Sequence, residues 1–183
     1  MKTWLTTALA VTLVTGGARA QQPSGAVDAT LRRSDGEPVR LSHWRGKPVI
    51  LFYEDKDSVR LNAPLKERLF ALASERGLRE AAWVVAVANL EKFNFFPARQ
   101  IALSYVKDEE KKTGVPILVD LEGTLGADPW KLPMKTSNVL LLDAEGTVLY
   151  RYSGRMADKD MELFLALLAR LVGVNLGTEE AHP

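Results

Sequence analysis

Pro48-Val49-Ile50-Leu51-Phe52-Tyr53, followed at once by Glu54-Asp55-Lys56-Asp57-Ser58-Val59-Arg60, is the stretch whose reading decides the fold. An unbroken apolar run, too short for an ordinary helix and without polar alternation, is the pattern of a strand covered on both faces. A charged loop after such a strand, and before an apolar stripe at Leu61, Leu65, Leu69 and Leu72, predicts strand, loop and helix, with Gly77 as the stop.

Working outward, Trp83 to Ala88 predicts a second buried strand. Pro97 opens a helix with Ile101 and Tyr105 expected inward and Gly114 closing it, and Val115 to Val119 is a third strand. Val139 to Leu142 and Thr147 to Tyr152 flank Ala144-Glu145-Gly146 as a hairpin. Asp158 is placed to cap a last helix with Met161, Phe164, Leu165, Leu168 and Leu171 inward. Upstream, Leu31 and Val39 to Leu41 flank the turn Ser34-Asp35-Gly36, an N-terminal hairpin. Strands alternating with helices, closed by a hairpin, predict an α/β three-layer sandwich with a central mixed sheet.

The beginning of the chain has a different character. Lys2, the apolar stretch Leu5 to Val14 and Ala18-Arg19-Ala20 match the three parts of a secretory signal, so residues 1–20 are expected to leave by cleavage after Ala20. The alternative is a retained anchor, although the apolar stretch is shorter than the ~20 residues a bilayer needs. The expected organisation is a signal at 1–20, a mobile lead-in at 21–28, one domain at 29–173 and a tail at 174–183, in a periplasmic or secreted protein with no membrane contact once cleaved. The chain has 24 basic and 23 acidic residues, and Lys2 and Arg19 would go with the signal. A mature chain so near neutrality offers no bulk attraction to nucleic acid. It has no cysteine. Thiol–disulfide exchange is excluded, because that chemistry needs a thiolate.

Asp35-Gly36 through Gly46-Lys47 into Val49-Ile50-Leu51-Phe52-Tyr53, and Ile117-Leu118-Val119-Asp120 through Leu142-Asp143-Ala144-Glu145-Gly146, resemble the thioredoxin-like fold in its exported TlpA-like branch. On that frame the redox motif Cys-x-x-Cys falls on Asp57-Ser58-Val59-Arg60, and the cis-proline that faces it falls on Ser137. The resemblance therefore implies the fold and a substituted site. Asn62-Ala63-x-Leu65, Val119-Asp120-x-x-Gly123, Leu125-Gly126-Ala127 near Trp130, and Ser137-x-Val139 before Asp143-x-x-Gly146 are similar to the YtfJ-type family of exported proteins. Some of its members are labelled transcriptional regulators, which an export signal and a near-neutral charge oppose here. The resemblance transfers no catalytic residue and no cofactor.

The substituted site allows several readings. Asp57 or Ser58 can cap the following helix, with the neighbouring charges solvated. Glu54, Asp55 and Asp57 can instead form a hard-cation site if Asp120 or Asp128 converges on them, since calcium takes six to eight oxygens. Glu54 and Asp57 can also pair as acid and base in a non-redox enzyme. Hydrolysis through Ser58 or Ser137 would need His43. Pro64 implies either a kinked helix or one that starts afresh at Asn62. Phe93-Asn94-Phe95-Phe96-Pro97 is satellite core or, if its rings are exposed, a partner surface. Lys107 to Lys112 is a solvated last turn. The expected function is redox-inactive binding of a protein or small ligand by Tyr53, Glu54, Asp57, Ser58, Arg60, Phe95, Trp130 and Ser137. Tyr53, Phe95, Trp130 and Met134 are expected to line an apolar groove there, and no metal or cofactor is expected.

Overall fold

The computed structural model describes residues 25–173 with residue 76 left out. The expected signal, its cleavage point, the first part of the lead-in and the tail lie outside the described residues. The expected apolar run forms β3 (Val49–Glu54), buried along its whole length. Its neighbours explain that burial: β4 (Trp83–Asn89) pairs parallel on one side and β6 (Asn138–Leu142) antiparallel on the other. Next to β4 lies β5 (Ile117–Asp120), also parallel. The hairpin of β1 (Thr30–Arg32) and β2 (Pro38–Arg40) adds to β5, and β7 (Val148–Ser153) adds to β6. The sheet order is β2-β1-β5-β4-β3-β6-β7.

Strand alternation divides the core. Ile50, Phe52, Val139 and Leu141 face α1 (Ala63–Glu75) and α4 (Asp158–Val172) through Leu65, Leu69, Met161, Phe164, Leu165 and Leu168. On the same face Val119 and Ala88 meet α3 (Ala98–Thr113) through Ala102, Leu103 and Val106. The opposite face, with Leu51, Tyr53, Val85, Val87, Leu118 and Leu140, is covered by 3₁₀ turns at Leu41–Trp44 and Thr124–Gly126 and by Trp130 and Leu132. The third layer of the sandwich is therefore mostly irregular chain.

Several local expectations change. Ile101 and Tyr105 point to solvent; the inward stripe of α3 is one residue further along, at Ala102, Leu103 and Val106. Trp83 and Val84 are exposed at the start of β4, where the sheet projects beyond its cover, and Lys47 stacks over the Trp83 ring. A short helix α2 (Leu78–Ala81) follows Gly77, whose left-handed backbone turns the chain after α1. The last helix begins at Asp158 itself, with no side-chain cap. Among the described residues no helix is long and apolar enough to cross a membrane.

Candidate functional site

Because β3, β4 and β5 run parallel, their carboxyl ends share one edge of the sheet, where α/β proteins commonly bind ligands. The loops after Glu54, Asn89 and Asp120 meet there, together with the amino end of β6 and the carboxyl end of β7.

At the centre of this edge stands Glu54, the last residue of β3, 7% exposed. Ser137 donates its hydroxyl to Oε1 at 2.6 Å, and the Lys66 ammonium donates to Oε2 at 2.6 Å. Lys66 also reaches the Val59 carbonyl at 2.8 Å and lies over the Phe52 ring. Ser137 in turn accepts from Asn62 Nδ2 at 2.9 Å. The same amide donates to the Gly154 carbonyl at 2.9 Å, while Asn62 Oδ1 accepts from the Met156 N–H at 2.8 Å. Ser137 and Asn62 are buried. Glu54, Lys66, Ser137 and Asn62 thus form a closed network whose buried polar atoms all have partners, the condition under which such a network rigidifies its surroundings. It ties the start of α1 to the entry of β6 and the exit of β7.

Asn62 stands just before the helix, its carbonyl accepting from the Lys66 N–H at 3.2 Å, but its side chain is turned to Met156, Ser137 and Gly154 and does not cap the helix. Helix α1 starts at Ala63, so Pro64 falls in its first turn, where a missing N–H costs little. Neither Asp57 nor Ser58 caps it, because the chain makes successive turns before the helix begins. The Ser58 hydroxyl bends back to Asp55 instead, donating to Oδ1 at 2.8 Å and accepting from the Asp55 N–H at 2.9 Å. Asp55 Oδ1 further accepts from the N–H groups of Asp57 and Ser58, and Oδ2 from the Lys135 N–H at 3.0 Å. That last bond holds Lys135 in the left-handed region (φ 57), a conformation that residues other than glycine adopt at a cost. It also sets Met134 and Lys135 beside the Asp57 loop.

A second buried group lies behind the first. Asp120, wholly buried, accepts from the Tyr53 hydroxyl at 3.2 Å and from the N–H groups of Thr124 and Leu125 at 2.8 and 2.9 Å. These bonds shape the 3₁₀ turn that inserts Leu125 into the core. Burial, and then the adjacent Asp120 carboxylate, push the Tyr53 hydroxyl far above the ordinary tyrosine range. Asn138 completes the interior, donating to the carbonyls of Tyr53 and Pro133 and accepting from Ser153.

The expected site residues therefore separate. Glu54, Ser58 and Ser137 come together as buried structure, while Asp57 and Arg60 are exposed. Tyr53 and Trp130 are each 1% exposed and belong to the core, so they cannot line an open groove with Phe95 and Met134. The Trp130 indole N–H reaches inward to the Asp28 carbonyl. Phe95 and Phe96 are 59% and 81% exposed on the loop after β4, at this same edge. Lys66, Asn62 and Asn138 carry the site without having been read as site residues. The available signal was a set of polar residues, Asn62 and Ser137-Asn138, directly beside apolar stretches.

The arrangement also limits the chemistry. Both oxygens of Glu54 are engaged, Ser137 is sealed from solvent, and the carboxylate of Asp57 has no partner among the described residues, so no acid–base pair is assembled. Asp120 is committed to Tyr53 and the backbone, and Asp128 pairs with Lys131 at 2.8 Å. Among the described residues no three His, Asp or Glu side chains converge to hold a metal. His43 is exposed and stacked edge-on to Trp44, in a segment whose Gly46 bonds to Ala144 at the far end of the sheet from Ser58 and Ser137. One cavity, of about 10 Å³, also lies at that far end, between Leu41, Val49, Leu142 and Gly146, with room for at most one water.

No protein-family model and no curated protein matches the chain. Solved structures do. The pneumococcal exposed lipoprotein thioredoxin Etrx1 from Streptococcus pneumoniae strain TIGR4 superposes with a TM-score of 0.57 at 20% identity, over 79% of this chain and 100% of that one. Peroxidoxin BcpB from Mycobacterium tuberculosis gives 0.56 at 20% identity, over 82% and 97%. The thioredoxin domain of a thiol-disulfide oxidoreductase from Bacteroides vulgatus gives 0.53 at 15%, over 81% and 97%. At such identities the likeness establishes the fold, which is thioredoxin-like, and leaves function to the site.

Proposed function

We propose that this chain is an exported, redox-inactive thioredoxin-like binding module of the YtfJ type, which holds a protein partner at the carboxyl edge of its sheet. Without a cysteine it cannot exchange disulfides. The signal-like residues 1–20 support export, and the matches around Asn62, Asp120 and Ser137 support the YtfJ-type assignment. One observation carries the binding reading. The loop 57–60, where the resemblance puts a redox motif, packs on the closed Glu54–Ser137–Asn62–Lys66 network through the bond from Lys66 to the Val59 carbonyl, and Val59, Phe95, Phe96 and Met134 stand exposed at this end of the sheet. Exposed apolar residues gathered beside a rigid polar centre are the composition of a docking surface. A protein fits better than a small molecule, because small ligands need a concave pocket of several hundred Å³ and the described cavity is at the wrong end and holds about one water.

The test is quantitative affinity capture from the exported fraction with the native chain and with Val59→Asp/Phe96→Asp/Met134→Asp. All three positions are exposed, so the variant is expected to fold normally and to lose the specifically captured protein. Equal recovery by both would reject the surface. Capture of a small molecule alone would reject the protein partner.

A further inference from the structure

The exposed apolar residues of the carboxyl edge each have basic residues beside them in the same loop. Val59 lies between Lys56 and Arg60, Phe95-Phe96 lie between Lys92 and Arg99, and Met134 directly precedes Lys135. All five basic residues are exposed, and among the described residues none of them forms an ion pair. Lys56 and Arg60 follow β3, Lys92 and Arg99 follow β4, and Lys135 precedes β6; these three strands are neighbours in the order β4-β3-β6. Their loops are therefore spread over two strand spacings, about 10 Å. Few anions offset them. Asp128 is held by Lys131 and Glu122 by Arg32, and both oxygens of Asp55 are taken by backbone N–H groups, which leaves Asp57 and Glu91. The edge is thus basic on a chain that as a whole is close to neutral, with 24 basic and 23 acidic residues. Helices α1, α3 and α4 all begin at this end of the sheet, and the positive ends of their dipoles add to the same sign.

We infer that the protein partner of this edge is acidic: a segment with Asp or Glu side chains around an apolar anchor, its carboxylates meeting the five basic residues while the anchor covers Val59, Phe96 and Met134. The inference rests on the reading of this edge as a docking surface and adds the chemistry of the occupant. Opposite charges around the rim of such a surface steer the encounter and select the partner, and the apolar centre holds it. A protein segment suits the pattern better than an anionic bilayer. Asp57 and Glu91 stand exposed among the cations, where a uniformly negative membrane surface would repel both. A folded or extended protein can set a hydrogen-bond donor or a basic group against each of them.

Peptide display against the full chain supplies the probe, and the most enriched peptide is then synthesised for binding kinetics. The enriched peptides should be acidic, with apolar residues between the carboxylates. Lys56→Gln/Arg60→Gln/Lys135→Asn should slow association of the synthetic peptide about tenfold and flatten its dependence on salt, with dissociation little changed. Asparagine is used at position 135 because it tolerates the left-handed backbone there. Val59→Ala/Phe96→Ala/Met134→Ala should instead speed dissociation. Enrichment of neutral or basic peptides that still depend on Val59, Phe96 and Met134 would overturn the acidic partner and leave the docking surface standing. So would acidic peptides whose association the charge variant does not slow. Peptides indifferent to both variants, or no enrichment at all, would overturn the acidic partner and the docking surface together. Binding to phosphatidylglycerol vesicles that the charge variant abolishes would give the edge to a membrane and overturn the inference.

Discussion

Ser137 lies 2.6 Å from Glu54 and gives it a hydroxyl hydrogen, bridging the entry of β6 and the exit of β3 inside the protein. The two side chains face each other, and the bond closes the site from within.

Ser137→Ala removes the donor to Glu54 and the acceptor for Asn62 together. Leaving buried groups short of a partner costs about 1–3 kcal/mol. Urea denaturation should show a lower midpoint at an unchanged slope, the shift multiplied by the slope giving that loss. An unaltered midpoint would mean the network adds nothing to the fold.

Lys66→Met leaves a buried carboxylate without its cation. The lysine is partly exposed, so the loss should be about 1–3 kcal/mol, below that of a fully buried pair. Glu54→Gln added to Lys66→Met should recover most of it, since the uncompensated charge is then gone. Equal stability of the single and double variants would show that the two groups are not coupled.

Alkaline pH should unfold the protein earlier than its surface charges alone require. Burial, then Asp160 and Tyr152, raise the Tyr150 hydroxyl from 10.0 to about 12, and Tyr53 is shifted in the same direction. A group that holds its proton more tightly when folded contributes fully below its unfolded value and loses that contribution as pH rises. The melting temperature should therefore decline from pH 10 to pH 12, and Tyr150→Phe should flatten the decline. A slope unchanged by Tyr150→Phe would contradict this.

The sheet, the three long helices and both hairpins were legible because burial leaves a direct trace: β3 is apolar from Val49 to Tyr53, and its flanking turns carry glycine or mixed charge. The inward face of α3 was not, since Ile101 and Ala102 are both apolar and only the sheet's position selects between them. The site was half legible. The frame located Glu54 and Ser137, but their contact depends on a long-range register that no local pattern encodes. Trp130 was misplaced for the same reason. A large aromatic in a loop suggests a surface, whereas the Asp120 turn folds that loop back over the sheet.

The central claim is that the carboxyl edge is a docking surface built on a locked polar centre. Photo-cross-linking residues placed singly at positions 59, 96 and 134 of the chain expressed in cells test it most directly, with position 83, exposed at the opposite end of the sheet, as the control. The account predicts one protein adduct shared by positions 59, 96 and 134 and absent at 83. Equal adducts at all four positions, or none at the carboxyl edge, would contradict it.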